Sequence, residues 1–459
     1  MANTTEAEAS SFRDPSGYLF RENGVLYRFI APDYAPHYEL LQNSGLYETL
    51  VAKHLLIPHT EASLHKPGSY KVIQPTLIPF ISYPYEWCFS QLKAAALATL
   101  TIQQLALEKG MTLKDASAYN IQWFEGKPVL IDTLSFEKYK EGQPWVAYRQ
   151  FCQHFLAPLA LMAYTDISLG TLSAQHIDGI PLSLASRLLP NRTRYSFGLG
   201  SHIHLHARSQ AQHADTHKAA GKEPHLARPA FLALLQSLGG TVKKLAVPQQ
   251  KTEWGAYYAD TNYTETARAH KENLVKTWVK ETQPKRVWDA GANDARFSQL
   301  VSAQGIYTIA TDIDPVAIEI AYTRAQHEKD TQLLPLVIDL TSPSPAIGWE
   351  NTERDAFLTR NRVDTTLALA LIHHLAIAHN VPLGRIASLF ATQTKNLIIE
   401  FVPKEDTNAQ RLLSRRTDIF PSYTEAGFEQ AFGKYFKLVK KERITESVRT
   451  LYFFERGIR

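Results

Sequence analysis

From residue 286 to the end, the chain alternates short apolar runs with longer stretches of helical periodicity. The apolar runs are RVWDA (286–290), YTIATDI (307–313), LLPLVID (333–339), DTTLALAL (364–371), NLIIEFV (396–402), YFKLVKKERI (435–444) and VRTLYFFER (448–456). Continuous rather than alternating apolar character is what a strand buried on both faces requires. Helical stretches between the first five runs predict a parallel, doubly wound sheet. The last two runs are adjacent and predict an antiparallel hairpin at its end.

The first two hundred residues are patterned differently. YLFRENGVLYRFI (18–30) has two β-rich runs around Glu22-Asn23-Gly24, a hairpin signal. HYELLQNSGLYETLVAKHLL (37–56) has apolar residues at helical spacing, and YKVIQPTLIPFISYP (70–84) has strand composition. FSQLKAAALATLTIQQLALEKG (89–110) predicts a long helix closed by Gly110, and FLAPLALMAY (155–164) a buried one. The expected organisation is a loose tail over 1–14, an α+β domain over 15–200, a connector over 201–252 and an α/β domain over 253–459. The connector carries six histidines between 201 and 229. His202, His204 and His206 alternate as metal ligands on a strand would, but no cysteine or acidic partner stands at zinc spacing. A basic connector with no metal is the preferred reading.

Composition narrows the class. The 459 residues suffice for two or three domains, and 44% hydrophobic with 20% charged residues describes a globular chain. A formal net charge of +4 gives no argument for a nucleic-acid partner. Two cysteines, Cys88 and Cys152, form no disulfide framework and point to a reducing compartment. The N-terminus is polar, without the apolar core of a signal peptide. No apolar run approaches the roughly 20 residues of a membrane-spanning helix. A cytoplasmic protein without a membrane span is expected; the sequence does not disclose its oligomeric state.

Candidate chemistry in the last third lies at strand ends. Asp289 ends the first run, and Gly291 permits a sharp turn into the next helix. Asp312 ends the second run, where an acidic residue can accept both ribose hydroxyls of a nucleoside. Asp314-Pro315 starts the following helix as a cap followed by proline. Asp339 closes the third run. These residues resemble the class I S-adenosylmethionine-dependent methyltransferases over roughly 255–459. The family's D-x-G-x-G-x-G motif is reduced here to Asp289-Ala290-Gly291-Ala292-Asn293-Asp294-Ala295, with only the first glycine kept. That loss also argues against a dinucleotide, whose pyrophosphate needs close backbone approach. The alternative from the residues alone is an unliganded Rossmann-like domain with aspartates acting as helix caps.

The resemblance implies S-adenosyl-L-methionine as cofactor. It assigns Asp289 and Gly291 to the methionine pocket, Asp312 to the ribose and Asp339 with Leu340 to the adenine, with Ala292, Asn293 and Ile313 as further cofactor contacts. Tyr258, Asn262, Tyr263 and Lys271 would cover the methionine end. His373 and His374 follow the fourth strand, which in the family faces the transferred methyl group. They are candidate bases, with a pKa near the usual 6–7, or alternatively part of the cofactor wall. Glu400, near the end of strand five, is the third catalytic candidate. No Asn/Asp-Pro-Pro-Tyr/Phe tetrapeptide is present, which disfavours methylation of adenine.

The earlier LKDASAYNIQWFEGKPVLIDTLSFE (113–137) spaces Asp115, Asn120 and Asp132 as a kinase catalytic loop and metal-binding aspartate are spaced. This segment, the helix before it and ISYPYEW (81–87) resemble the protein-kinase-like fold, in its small-molecule phosphotransferase branch, over about 15–200. There is no Gly-rich phosphate loop, Arg28 stands where a kinase offers lysine, Glu48 is the candidate acidic partner, and Asp-Phe-Gly is replaced by Asp132-Thr133-Leu134. Three readings stay open: an active phosphotransferase taking Mg-ATP, a degenerate nucleotide-binding module, or a coincidental loop.

The whole reads as a Rossmann-like seven-stranded methyltransferase sheet preceded by an α+β kinase-like domain. The expected reaction is methyl transfer to an oxygen or nitrogen of a glycan, lipid-linked sugar or small metabolite. The alternatives are a bifunctional kinase-methyltransferase and a non-catalytic nucleotide-sensing regulator.

Overall fold

The computed structural model describes residues 6–209, 225–247, 263–414 and 417–457. The chain divides into two compact units, Met1–Gln249 with Ala346–Asp355, and Gln250–Pro345 with Ala356–Arg459.

The N-terminal unit contains a five-stranded antiparallel sheet of β1 (Glu6–Ala7), β2 (Gly17–Glu22), β3 (Val25–Ile30), β4 (His59–Glu61) and β5 (Lys71–Pro75), in the order β1-β2-β3-β5-β4. The β2–β3 hairpin turns on Asn23 and Gly24, both at positive φ (52° and 81°), as the two-residue turn demands. Two short pairs follow, β6 (Met111–Leu113) with β9 (Phe136–Lys138), and β7 (Ile121–Phe124) with β8 (Lys127–Leu130). The helix expected over 37–56 is two, Ala35–Asn43 and Leu46–Ala52, broken at Ser44-Gly45. The strand expected over 70–84 stops at Pro75, and Pro84 opens a 3-10 turn instead. Pro75, Pro79 and Pro84 lack ladder donors, and three of them within ten residues favour ending the strand here.

The helix Phe89–Glu108 is buried along much of its length, and two of its buried glutamines accept from backbone donors. Gln91 Oε1 accepts from the Cys88 N–H at 3.0 Å, and Gln103 Oε1 from the Leu113 N–H at 2.7 Å. Both cysteines are buried and neither forms a disulfide. The segment Ala346–Asp355, which follows the third strand of the C-terminal sheet in sequence, belongs to this unit. Its Ile347 packs against Tyr83, Tyr85 and Tyr119, and its buried Glu353 binds Arg13 at 2.5 Å.

Part of the expected connector is helical instead. Gly200–Leu205 and Arg228–Lys244 are helices of the N-terminal unit. His202 bonds Tyr148 and Ser237, and His204 bonds Ser186 and Thr193, at 2.8–2.9 Å. Hydroxyls thus satisfy these two buried rings on a helix, not a strand. The stretches 210–224 and 248–252 lie outside the described residues. No helix among those described is long and apolar enough to cross a membrane.

The C-terminal unit is built on β10 (Arg286–Ala290), β11 (Tyr307–Asp312), β12 (Leu333–Val337), β13 (Val363–Ala368), β14 (Thr394–Phe401), β15 (Phe436–Arg443) and β16 (Thr450–Arg456). Their order is β12-β11-β10-β13-β14-β16-β15, the first five parallel and β16 antiparallel to both neighbours. The sheet and its terminal hairpin match the sequence pattern. Val287, Trp288, Ile309, Leu334, Leu336, Leu367, Ile398 and Leu451 are buried. Trp288, fully buried, places its indole N–H on Thr311 Oγ1 at 2.8 Å, the partner a buried indole needs. Register aligns the carboxyl ends of β10 and β11, with Ala290 opposite Thr311. The strand order reverses at β10, beside β13, and a parallel sheet opens its ligand crevice at such a point.

Candidate active site

A cavity of about 360 Å³ lies at the carboxyl ends of β10, β11, β12 and β13. Asp289, Gly291, Ala292, Asn293, Asp312, Ile313, Asp339 and Leu340 all line it, together with Tyr263, Lys271 and His374. Tyr258 and Asn262 lie outside the described residues.

The turn after β10 explains the reduced glycine motif. Gly291, Asn293 and Ala295, the three positions where the family pattern has glycine, all have positive φ, at 72°, 51° and 62°. Asparagine tolerates this region. Alanine adopts it at a cost of roughly 1–2 kcal/mol, which the neighbouring bonds must offset. Gly291 and Ala292 both donate to Thr311 O at 2.9 Å, and a Cβ on Gly291 would come within 2.9 Å of Leu371 Cδ1.

Three strand-end carboxylates line the cavity. Asp289 accepts from Ser298 Oγ at 2.6 Å, and burial raises its pKa to about 6. Asp312 is held by two backbone donors, Asn293 N–H at 2.8 Å and Asp314 N–H at 2.9 Å, and burial lifts it also to about 6. Asp339 accepts from the Thr341 N–H and hydroxyl at 2.8 and 2.6 Å. The fixed Asp312 carboxylate keeps lone pairs for further donors, such as a diol.

His374 lines the cavity, and burial, with His379 and Arg449 nearby, lowers its pKa to about 4. His373 is fully buried, is not among the lining residues, and neither ring nitrogen has a hydrogen-bond partner among the described residues. Burial pushes it well below the usual histidine value. Glu400 is likewise fully buried behind the cavity. It accepts from Lys271 Nζ at 2.6 Å, from the Tyr263 hydroxyl and, at 3.4 Å, from Arg449 Nη1. Arg449 also grips Asp406 with two bonds of 2.7 and 3.0 Å, and Asp406 caps the helix Thr407–Leu413. The pattern of the sequence pointed to neither Arg449 nor Asp406. Arg268, on the helix Glu265–Thr282, lines the cavity with no side-chain ion pair among the described residues.

In the N-terminal unit, Asn120 and Asp132 meet at Ser135, and Asp115 lies beside both. Ser135 Oγ donates to Asp132 Oδ2 at 2.6 Å, and Asn120 Nδ2 reaches Ser135 Oγ at 3.4 Å. Asp115 is oriented by Gln150 at 2.7 Å and the Ser117 N–H at 2.8 Å, and burial, with Asp132 close by, raises its pKa. Arg28 makes a direct ion pair with Asp132 Oδ1, which also accepts from the Leu134 N–H. Burial alone would raise Asp132, but Arg28, Ser135 and Leu134 hold it below the usual carboxylate value. Glu48 is exposed, so Arg28 is committed to Asp132 rather than to a helix carboxylate. Both Asp132 oxygens are thus engaged in this arrangement, Oδ1 by Arg28 and Leu134 and Oδ2 by Ser135.

The strand order, the terminal antiparallel pair and the strand-end crevice define the C-terminal unit as a class I S-adenosylmethionine-dependent methyltransferase fold, preceded by an α+β unit. No protein-family model matches the chain. The nodulation protein NoeA of Rhizobium meliloti (strain 1021) is 38% identical over 459 residues, covering 98% of this chain and 96% of that protein. The chain belongs to the NoeA family. Similar solved structures include the bifunctional kinase-methyltransferase WbdD (15% identical, TM-score 0.32, covering 47% of this chain and 45% of that one). Magnesium protoporphyrin IX methyltransferase ChlM of Synechocystis PCC 6803 with bound S-adenosylhomocysteine (SAH) is 17% identical, with TM-score 0.32, covering 44% and 92%. The N-methyltransferase NodS of Bradyrhizobium japonicum WM9 is 11% identical, with TM-score 0.32, covering 42% and 98%. At these scores the likenesses add nothing to the topology already described.

Proposed function

We propose that the protein transfers a methyl group from S-adenosyl-L-methionine to an oxygen or nitrogen of a small-molecule acceptor, a glycan or a lipid-linked sugar. The observation that carries this reading is the cavity lined by Asp289, Asp312 and Asp339 on successive strand ends, beside a turn with no phosphate cradle. Asp312, fixed by two backbone donors, is suited to the ribose hydroxyls. Asp339 and Leu340 flank the adenine. Arg268 supplies a cation for the methionine carboxylate. The cofactor, when bound, brings an electrophilic methyl group on a sulfonium. The chain aligns the acceptor, and His374 is placed to take its proton.

Isothermal titration of the full-length protein with SAH tests the site. Asp312→Ala removes acceptors for charge-assisted hydrogen bonds worth about 1.5–3 kcal/mol each, so affinity should fall at least tenfold with the thermal transition unchanged. Affinity in the parent should also weaken as pH drops through about 6, where Asp312 takes up a proton. Equal affinity in a folded Asp312→Ala protein would remove the assignment.

A second reading concerns the N-terminal unit. The Arg28–Asp132 pair supports a kinase-like module that does not transfer phosphate. Millimolar Mg-ATP should then give no magnesium-dependent rise in Tm and no hydrolysis. Magnesium-dependent hydrolysis that disappears in Asp132→Asn would instead establish the bifunctional enzyme.

A further inference from the structure

Between Asp178 and Asp215 the chain has no acidic residue, yet it carries Arg187, Arg192, Arg194 and Arg208. All four arginines are exposed. The same stretch holds the two most exposed large apolar side chains among the described residues, Tyr195 at 91% and Phe197 at 83% exposure. Leu205 and Leu188 are exposed as well. These residues sit on or beside four short helical elements that pack on one another, Leu182–Leu188, Asn191–Tyr195, Phe197–Leu199 and Gly200–Leu205. The fold anchors this group from within. Leu182, Ala185, Leu199 and Ile203 are buried, and the buried His204 ring ties Ser186 to Thr193. The aromatic side chains therefore project from a fixed platform.

One carboxylate adjoins this stretch. Thr165 Oγ1 donates to Leu188 O at 3.3 Å, which brings Asp166 to the edge of the surface, and Asp166 accepts from the Ser168 N–H and hydroxyl at 2.8 and 2.6 Å. We propose that this face docks on an anionic lipid bilayer. The arginines would lie at the phosphate level, with Tyr195, Phe197 and Leu205 dipping into the boundary between headgroup and acyl chain. Charge selects the occupant: four exposed arginines on a stretch without acidic residues complement phospholipid phosphates, Asp166 standing only at its edge. Projecting aromatic and aliphatic side chains add the apolar insertion that a merely electrostatic contact lacks.

The test is co-sedimentation of the full-length protein with phosphatidylcholine vesicles, with and without phosphatidylglycerol. The parent should pellet with the mixed vesicles and not with phosphatidylcholine alone, and binding should weaken as salt is raised. Arg192→Gln with Arg194→Gln should lower partitioning by roughly fivefold per arginine. Tyr195→Ser with Phe197→Ser should lower it by about tenfold. Both variants should keep the parent's thermal transitions and SAH affinity, since no altered residue lines the cavity. Failure of the parent to bind anionic vesicles would overturn the proposal. So would parent-like binding by the Tyr195/Phe197 variant, retention on RNA in place of vesicles, or a parent dimer that this variant converts to a monomer.

Discussion

Arg449→Leu should lower the unfolding free energy of the C-terminal unit by about 3–5 kcal/mol, the cost of removing one partner from a buried ion pair. Arg449, Glu400 and Lys271 are each at most 3% exposed, and Asp406 is 2% exposed. Leucine roughly replaces the aliphatic volume but leaves Asp406 without its two-bond partner, and leaves Glu400 with Lys271 and Tyr263 alone. The pH dependence carries a second signature. Burial alone would push Glu400 up, but Lys271 and Arg449 reverse this and hold it at about 2. A carboxylate depressed in the folded state contributes stability that is present above its unfolded pKa, about 4.3. That contribution is lost as pH falls toward 2. In Arg449→Leu the folded value rises, so the loss should begin at higher pH. Urea titrations at several pH values measure both effects, taking the transition that SAH shifts upward as that of this unit. A loss under about 1 kcal/mol would show the network to be dispensable to the fold.

The C-terminal sheet was legible because strands buried on both faces carry unbroken apolar runs, and each ends on a residue that changes character, Asp289, Asp312 or Asp339. Periodicity could not disclose the ion network behind the cavity. Glu400 is 129 residues from Lys271 and 49 from Arg449, and Arg449 lies in a segment whose apolar pattern marks only a strand. The glycine motif appeared weak for a related reason. What the turn requires is positive φ, which Asn293 and Ala295 supply without glycine. In the N-terminal half, helix and strand were overextended where one glycine or proline outweighs several apolar residues, at Gly45 and Pro75. Spacing placed Asp115, Asn120 and Asp132 near one another. The pairing of Arg28 with Asp132 depends on the approach of β3 to the segment after β8, which the local pattern does not contain.

His374→Ala should reduce turnover by roughly 10²–10⁴-fold if His374 is the base for a hydroxyl acceptor. SAH affinity should barely change, because the interaction strengthens only as the proton leaves the acceptor. His374 lines the cavity and His373 does not, so the two adjacent imidazoles divide into a candidate for chemistry and one for packing. His373→Ala should accordingly act on stability rather than on rate. The pH profile separates this environment from that of an ordinary histidine. A free imidazole would put the acid limb near 6–7. Burial, His379 and Arg449 move His374 to about 4, so it stays neutral and able to accept a proton throughout the range in which the enzyme would work. The acid limb should therefore appear near pH 4, with turnover flat between about pH 5 and 8 as far as this group is concerned. Two measurements need no knowledge of the acceptor. Titration of the His374 ring by NMR in labelled protein should give a midpoint near 4, and a midpoint at the ordinary value of about 6–7 would show that its burial does not depress it and would move the expected acid limb there. SAH affinity of His374→Ala is the other: a large loss would place the ring in the cofactor wall instead, and its effect on rate would then vanish at saturating S-adenosylmethionine.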